Sequence, residues 1–404
     1  MTRYVVVTPR DPVIVRDGRP FGTGGRMKPL GWPTPSLVAG SLRTILGLRR
    51  NGGGVFDEEL VKAVLNLAIR GPLGYADGKL WLPTPRDIIC FIKEGKLDYM
   101  TLRPKRTADG EYCNLPHPSL LPLGVDVDAK AKPCAPLWTM EKLSEWLLNP
   151  LGKGFAVPHE TDVFGEDCGP LPARSARSHT AIDPNTLASM ESKLFETVGL
   201  DFERVRKDEN GRREFHQEPL ELVIRIGRAD GFTFELSGLD GLYPLGGERR
   251  LARWRALSGI DELWHCPADL KKALSKATQV RMVLATPAIF TGGWLPGWLH
   301  DANGYLEGSP PDSDIRLRLV GAVLERWQPI SGWSVENGKA GPKPVRRMVG
   351  AGGVYFFDVV GGLAAPLADD WLAAVSDGEQ DRREGFGLAL WGVSQHEQHD
   401  LGRT

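Results

Sequence analysis

The feature that most restricts the fold of this chain is its division into short apolar runs by glycine and proline. The 404 residues include 48 glycines and 31 prolines, which lie between the apolar runs rather than in one tract. Such spacing is typical of a folded chain with many turns and long loops, not of a disordered one. A chain of this length is also expected to form two domains, because a single core rarely grows so large.

The apolar runs follow one order of elements twice: strand, loop, helix, strands, helix, strand. This order predicts an α+β fold made of two units of the split βαβ kind. The predicted helices are one from Pro35 with Thr34 as its cap, Asp57–Arg70, Glu141–Leu148, Pro184–Thr197 and Cys266–Ala277. The predicted strands are Tyr4–Thr8, Leu220–Ile226, Phe232–Leu236, Val280–Ala285, Ile315–Leu324, Val354–Val360 and Leu388–Val393, with short strands of an inserted arm in 71–140.

Positive charge is concentrated in three places, although the formal net charge is only −1. Residues 1–50 hold nine Lys or Arg against Asp11 and Asp17, Glu248–Arg255 has four arginines and one glutamate, and Lys339–Arg347 has four basic residues and no acid. Basic patches on a nearly neutral protein indicate a bounded anionic ligand. Any one patch alone is equally explained as a solvated surface.

Two glycine-containing segments are suited to binding phosphate. Arg10–Gly31 interleaves glycines with arginines and is followed by a helix start, so backbone N–H groups and the helix dipole could face an anion. Glu384–Trp391 partly resembles an RNA-recognition signature, although Leu388 stands where an aromatic residue is usual. A tight turn explains the second segment equally well.

No set of residues in the sequence indicates catalysis or a metal site. The eight histidines form no H-E-x-x-H motif, His396 and His399 fall in a polar segment expected to be frayed, and no P-loop motif occurs. The five cysteines are scattered, which argues against a disulfide framework or a thiolate zinc site. Without a signal-peptide pattern or a long apolar run, the chain is expected to be cytoplasmic and reduced, with no membrane partner and no cofactor.

Several short segments, found in a fixed order along the chain, together resemble one known family. The strongest are Arg10–Phe21 and Trp32–Arg43, which are similar to the start of the third subunit of type III-B (Cmr) effector complexes, a branch of the RAMP superfamily. Further similar segments follow in the same order: Leu82–Asp87, His179–Asp183, Lys193–Phe195, Leu245–Arg250, Thr286–Pro296, Ile330–Trp333, Pro342–Arg347, Gly353–Phe357 and Glu384–Gly387. One departure is Gly350–Gly353, where the family is expected to carry a proline.

The resemblance implies two ferredoxin-like (RRM-related, βαββαβ) domains with long insertions and glycine-rich loops, taken here as 1–215 and 216–404. It implies a non-catalytic subunit that binds the 5′ repeat-derived handle of crRNA and contacts the large polymerase-like subunit and the backbone RAMP subunit. The residues expected to bind RNA are Arg10, Arg16, Arg19, Arg26, Lys28, Arg43, Arg249, Arg250, Gly385 and Gly387. Arg249 could equally be structural, paired with Glu248 or an Asp.

Two other functions remain open at this point. One is a handle-binding RAMP subunit of a type III-A or type I complex. The other is a metal-independent crRNA-processing endoribonuclease, which would need a base such as histidine beside the scissile phosphate. The basic N-terminal segment has no histidine, which counts against cleavage. The tryptophans could stack on bases, but Trp254, Trp264 and Trp371 are expected to serve helix packing.

Overall fold

The chain folds into two units whose segments alternate along the sequence. The computed structural model describes residues 3–19, 27–54, 56–107, 113–124, 130–158, 162–227, 234–236, 238–334 and 341–397. Unit 1 contains residues 1–76, 171–258 and 328–347, and unit 2 contains residues 77–170, 259–327 and 348–404. The boundary predicted between residues 215 and 216 lies inside unit 1 and does not coincide with a border of these units.

The fold is mixed α/β, with few helices and mostly antiparallel strands. The helices of the described residues are α1 (Pro35–Arg50), α2 (Glu58–Leu65), α3 (Met140–Leu148), α4 (Ala268–Leu274) and α5 (Glu379–Glu384). Their strands are β1 (Arg3–Pro9), β2 (Val13–Ile14), β3 (Ile69–Ala76), β4 (Lys79–Pro83), β5 (Ile88–Lys93), β6 (Lys96–Thr101), β7 (Arg103–Pro104), β8 (Leu123–Gly124), β9 (Ala131–Lys132), β10 (Leu137–Thr139), β11 (Cys168–Gly169), β12 (Ala173–Ile182), β13 (Ser189–Asp201), β14 (Val205–Lys207), β15 (Arg213–Phe215), β16 (Glu221–Ile226), β17 (Asp240–Pro244), β18 (Leu251–Leu257), β19 (Gln279–Leu284), β20 (His300–Ala302), β21 (Tyr305–Gly308), β22 (Leu317–Val323), β23 (Gln328–Ile330), β24 (Trp333–Ser334), β25 (Gly341–Pro342), β26 (Arg346–Met348), β27 (Val354–Val359) and β28 (Ala389–Val393).

Unit 1 is built on an antiparallel sheet in the order β3-β16-β1-β18-β17. The β-branched run of β1 lies at its centre, with Val5, Val6 and Val7 fully buried, because valine packs well on a pleated surface. Helix α1 buries Val38, Leu42, Ile45 and Leu46, which recur at helical spacing, and it lies against α2 and β3. The first strand and its following segment are therefore fixed by the core of unit 1.

Unit 2 is built on an antiparallel sheet in the order β20-β21-β22-β27-β19-β28. Strand β19 is buried along almost its whole length, as expected for a central strand covered on both faces. Helices α3 and α4 lie against β28, and a Cβ added at Gly392 of that strand would come within 2.7 Å of Leu147 on α3. Close helix packing thus explains the glycine in this strand.

Most predicted elements outside the arm and loop regions are confirmed, with small shifts at their ends. Strands β1, β16, β19, β22, β27 and β28 and helices α1, α3 and α4 fall where the apolar patterns place them. The second helix is shorter than predicted: α2 ends at Leu65, because Ile69 and Arg70 pair with β16 as the start of β3. Thr34 precedes α1 as predicted, but its side chain makes no capping hydrogen bond.

The helix predicted at Pro184–Thr197 is wrong, since this segment is part of a long β-hairpin. Strands β12 and β13 pair from Ala173↔Asp201 to Thr180↔Leu194, and again at Ile182↔Ser189. The rings of His179 and Phe195 stack across the pair with centroids 5.1 Å apart. Cross-strand pairing, which the local pattern does not reveal, decides this conformation. The strand predicted at Phe232–Leu236 is also absent from its described residues, 234–236.

Two cysteines form a disulfide that the sequence did not predict. Cys90 on β5 is bonded to Cys134, with their Cα atoms 5.7 Å apart. Strand β9 pairs with β5 at Cys90↔Lys132, so the sheet brings Cys134 to its partner. The two residues are separated by 44 positions; sequence spacing alone gave no sign of their proximity. The expectation that this chain has no disulfide is therefore corrected.

No helix of the described residues is long and apolar enough to cross a membrane.

Candidate nucleic-acid interface

Hydrogen bonds attach the first basic segment of unit 1 to Leu251, which directly follows the Gly-Gly-Glu-Arg-Arg segment Gly246–Arg250. The N–H groups of Arg10 and Asp11 both donate to the carbonyl of Leu251, at 2.9 and 3.2 Å. The Leu251 N–H in turn donates to the Asp11 carboxylate at 2.8 Å. These hydrogen bonds bring Arg10 close to the segment that contains Arg250, although Asp11 and Leu251 are 240 positions apart in the sequence.

The same segment is attached to residues 27–30, which precede α1. Arg16 forms an isolated antiparallel bridge with Pro29, and the Asp17 N–H donates to the Lys28 carbonyl at 3.0 Å. The Leu30 N–H donates to the Val15 carbonyl at 3.0 Å. Backbone hydrogen bonds therefore join the two described parts of the predicted glycine-rich loop, which lie before and after residues 20–26.

We call the cationic residues gathered by these contacts the N-terminal basic surface: Arg10, Arg16, Arg19, Lys28 and Arg249. All five are exposed. Arg19 is held in place by Asp17, whose carboxylate accepts from the Arg19 backbone N–H at 3.1 Å and pairs with its Nε at 3.2 Å. The four exposed guanidinium groups of this set could bind phosphates with paired hydrogen bonds, and the Lys28 ammonium could bind them as a point charge.

The turn that carries Arg249 has a strained backbone. Glu248 and Arg249 are consecutive non-glycine residues with φ of 56° and 51°, in the left-handed region that such residues rarely adopt. The turn lies against β2, since a Cβ added at Gly246 would come within 2.8 Å of the Ile14 carbonyl oxygen. Backbone strain of this kind, held by surrounding packing, is common at ligand sites.

Arg250 differs from Arg249 in being largely covered. Its terminal nitrogen donates to the Glu248 carboxylate at 2.8 Å, and its side chain is 19% exposed. The pairing with Glu248 that sequence analysis considered for Arg249 is thus made by Arg250. We therefore place Arg249, not Arg250, on the N-terminal basic surface.

The other arginines of the Glu248–Arg255 patch are neutralised by carboxylates. Arg253 makes a two-pronged pair with Asp240, at 2.7 and 2.8 Å. These hydrogen bonds lower the pKa of the Asp240 carboxyl. Arg255 donates to Glu221 at 2.9 Å. The patch is accordingly less basic than its sequence indicates.

Arg43, one of the residues predicted to bind RNA, is not part of the N-terminal basic surface. It lies on the buried face of α1 and is 5% exposed. One of its terminal nitrogens donates to the carbonyls of Leu65 and Leu67, at 3.3 and 3.2 Å. The guanidinium therefore satisfies carbonyls at the end of α2, where helices leave them unpaired. Arg26 lies outside the described residues.

Gly385 and Gly387, also predicted to bind RNA, are both buried within unit 2. Gly385 ends α5 with φ of 95°, and its carbonyl accepts from the Thr286 hydroxyl at 2.7 Å. A Cβ on Gly387 would come within 2.6 Å of the Ser376 hydroxyl oxygen and 2.8 Å of its backbone nitrogen. Gly387 therefore allows close packing, and protein atoms occupy the space beside it.

His396 does not lie in a frayed segment, contrary to expectation. Its side chain is fully buried and its Nε2 lies 3.2 Å from an oxygen of Asp358. Burial raises the pKa of the Asp358 carboxyl, but the hydrogen bonds from His396 and Gln279 outweigh this effect and hold the pKa below its usual value. The pair fastens the chain beyond β28 to the sheet. His399 lies outside the described residues.

Tryptophans divide into a buried majority and a smaller group that includes two exposed residues, Trp327 and Trp333, which the sequence did not single out. Trp254, Trp264 and Trp371 are buried, although Trp254 packs from strand β18 rather than from a helix. Trp333 is 65% exposed. Trp333 follows the short run Ile-Ser-Gly, and this local sequence does not distinguish an exposed tryptophan from a buried one.

Within the described residues, no group of three or more His, Cys, Asp or Glu side chains could hold a metal ion.

A family model described as CRISPR-associated protein (Cas_Cmr3) matches residues 5–394. Because that match spans nearly the whole sequence, the chain belongs to the Cmr3 family of CRISPR-associated proteins, RAMP-type subunits of the type III-B Cmr complex. A role in a type III CRISPR complex follows from this membership. The comparison with curated proteins finds no match.

Solved structures of type III complexes contain chains of similar structure. Two cryo-EM structures of the type III-B Cmr-beta complex bound to cognate target RNA, one of them also with AMPPnP, each match with 14% identity and a TM-score of 0.44, over 87% of this chain and 86% of that chain. A crystal structure of the Csm3–Csm4 subcomplex of a type III-A interference complex matches with 10% identity and a TM-score of 0.39, over 89% of this chain and 94% of that chain.

Proposed function

We propose that this chain is the non-catalytic crRNA-binding subunit of a type III-B Cmr effector complex. It binds the 5′ repeat-derived handle through the N-terminal basic surface of unit 1. It also contacts the large polymerase-like subunit and the backbone RAMP subunit, and so serves RNA-guided antiviral defence. Membership of the Cmr3 family supports the assignment to the complex.

The observation that carries handle binding is the convergence of separated basic segments. Arg10, Lys28 and Arg249 come from three parts of the sequence, and backbone hydrogen bonds join the segments that carry them. All three are exposed, whereas Arg250 and Arg253 of the same region are paired with carboxylates. Exposed cations set on an ordered scaffold are suited to contact the phosphates of a single strand.

We further infer that each unit is a ferredoxin-like module. If the strands are numbered by chain order within a module, β18-β1-β16-β3 of unit 1 and β28-β19-β27-β22 of unit 2 both have the order 4-1-3-2. That antiparallel order is the one of a βαββαβ fold. In unit 1, α1 and α2 lie in the connection between β1 and β3, and β17 lies in the connection between β16 and β18. In unit 2, the β20–β21 hairpin lies in the connection between β19 and β22.

The salt dependence of RNA binding tests the assignment. Replacing Arg10, Lys28 and Arg249 together with alanine is expected to flatten the plot of log affinity against log salt by about two units, at roughly 0.7 per phosphate contact on a single strand. Because phosphate contacts position rather than specify, affinity should fall similarly for handle and scrambled RNA. The measurement is fluorescence anisotropy with labelled single-stranded RNA over a salt series.

A matched control removes three cations of the same unit that are each paired. These are Lys62 with Glu58, Arg206 with Glu214 and Arg253 with Asp240, all exposed. Their alanine triple variant changes the net charge equally and should leave the slope unaltered. Equal flattening by both variants would mean that charge in general, and not this surface, attracts RNA. An unchanged slope in the first variant would instead point to a protein neighbour.

A further inference from the structure

An exposed tryptophan stands beside the N-terminal basic surface. Trp333 is 65% exposed and Trp327 is 42% exposed, whereas Trp138, Trp146, Trp254, Trp264 and Trp391 are each less than 2% exposed. Tryptophan has the largest apolar side chain, and a well-ordered domain normally covers most of it. The exposure of Trp333 on a paired strand is therefore consistent with a binding role for its side chain.

Trp333 belongs to a small basic hairpin, which we call the tryptophan hairpin: residues 328–334 and 341–347. Strand β24 pairs with β25, with Trp333 opposite Pro342. The Lys343 N–H donates to the Gly332 carbonyl at 2.8 Å, and a Cβ added at Gly332 would lie 3.7 Å from the Lys343 side chain. The described part of the hairpin carries Lys343, Arg346 and Arg347 and no carboxylate. Its lysine stem thus lies directly beside the tryptophan's strand.

The hairpin is fixed to the segment that carries Arg16 and Arg19. The Gly18 N–H donates to the Pro329 carbonyl at 2.8 Å. A Cβ on Gly18 would come within 2.7 Å of the Ile330 carbonyl carbon and 2.8 Å of the Ser331 nitrogen, so only glycine permits this approach. The Ser331 hydroxyl donates to the Lys343 carbonyl at 2.7 Å and holds the two sides of the hairpin together.

We propose that Trp333 is a stacking platform for one unpaired base of the RNA. The proposal rests on the proposed function, since it places the phosphates on the N-terminal basic surface and the base on the neighbouring indole. Aromatic rings set among cations are the usual means by which proteins bind single-stranded nucleic acid. Stacking uses the π-face that every base has, so this contact selects an unpaired nucleotide rather than a particular base.

The test compares Trp333→Ala with Trp333→Tyr in the full chain, with labelled single-stranded RNA that carries the handle sequence. The alanine variant should bind about 5- to 150-fold more weakly, the range for one lost base stack, while the tyrosine variant keeps most of the affinity. The salt slope should not change, because stacking releases no counterion. Phe215→Ala is the matched control, since Phe215 is an exposed ring (68%) of the same unit and should have no effect.

A series of RNAs that each lack one base locates the contact. Wild type and Trp333→Ala should bind equally to the RNA whose missing base is the one that stacks, and unequally to the others. If Trp333→Ala weakened the binding of every RNA of the series by the same factor, the stacking proposal would be overturned.

Other outcomes separate this proposal from the proposed function. If the triple alanine variant of the basic surface loses affinity but Trp333→Ala does not, handle binding stands and the stacking platform is refuted. Unaltered RNA affinity together with lost co-purification of other complex subunits would make Trp333 a protein contact and likewise refute it. If wild type fails to bind RNA at all, the proposed function itself fails.

Discussion

At the scale of single residues, unit 2 contains a buried ion pair with several backbone and aromatic partners. Arg281 pairs with Asp87 at 2.7 Å, and both side chains are almost fully inaccessible. The Trp146 indole N–H donates to the other Asp87 oxygen at 2.9 Å, and Arg281 donates to the carbonyls of Trp146 and Asn149. Burial lowers the pKa of Arg281, whereas the Asp87 carboxylate opposes that change.

Breaking this pair on one side should destabilise the protein strongly. Arg281→Met leaves the Asp87 carboxylate buried without its cation, which is expected to lower the free energy of unfolding by about 3 to 5 kcal/mol. Removing the charge on both sides with Arg281→Met and Asp87→Leu should recover much of this loss, since no uncompensated charge remains. Chemical denaturation measures the free energy of unfolding of the single and the double variant.

The exposed pair of Arg253 with Asp240 is the comparison for that experiment. Exposed pairs contribute little because water screens their charges, so Arg253→Met should change the free energy of unfolding only slightly. If Arg253→Met and Arg281→Met lowered the free energy of unfolding equally, burial would not explain the effect of Arg281→Met.

At the scale of elements, the end of β28 is fastened by a group of three side chains. Asp358 on β27 accepts from Gln279 on β19 at 2.9 Å and lies 3.2 Å from His396. The His396 backbone N–H also donates to the Gln279 side chain at 3.2 Å. Two strands, β19 and β27, therefore hold the last described residues of the chain, which follow β28.

This arrangement predicts a pH dependence with a definite sign. The folded pKa of Asp358 lies below its usual value of 3.8. The stabilisation is therefore complete above about pH 4 and is lost as the pH falls through the lower folded value. Asp358→Asn should lower the free energy of unfolding by about 1 to 2 kcal/mol at pH 7, because hydrogen bonds to a charged group are replaced by neutral ones.

Urea denaturation of wild type and Asp358→Asn at pH 7 and at about pH 3 checks the sign. The two proteins should differ at the higher pH and converge at the lower one, where the wild-type carboxyl is increasingly protonated. A gap that widens as the pH falls would show that Asp358 destabilises this element when charged.

At the scale of the whole molecule, we expect the purified chain not to cleave crRNA precursor, with or without a divalent metal. Among the described histidines of unit 1, His179 is stacked on Phe195 and its Nε2 lies 2.8 Å from the Thr197 hydroxyl. Incubation with labelled precursor and gel analysis measures cleavage. Specific cleavage that disappears on His179→Ala or His216→Ala, the histidines in the unit with the basic surface, would favour the processing enzyme instead.

The sequence by itself determined the type of most core elements and the general nature of the basic segment. The valine run of β1 and the helical spacing of Leu42, Ile45 and Leu46 depend only on local apolar periodicity, so they are readable without a structure. Segments such as Arg10–Phe21 and Trp32–Arg43 were likewise enough to indicate the family, which the family model then confirmed.

The tertiary structure alone decided which basic residues remain exposed and what surrounds them. Arg43 and Arg249 have the same chemistry in the sequence, but one lies on the buried face of a helix and the other on a strained surface turn. Gly387 and Trp333 were similarly unreadable, because burial and neighbours depend on contacts between residues far apart in the chain. Strand pairing across β12 and β13 overrode a local helical pattern for the same reason: non-local hydrogen bonds outweigh the small differences in intrinsic propensity.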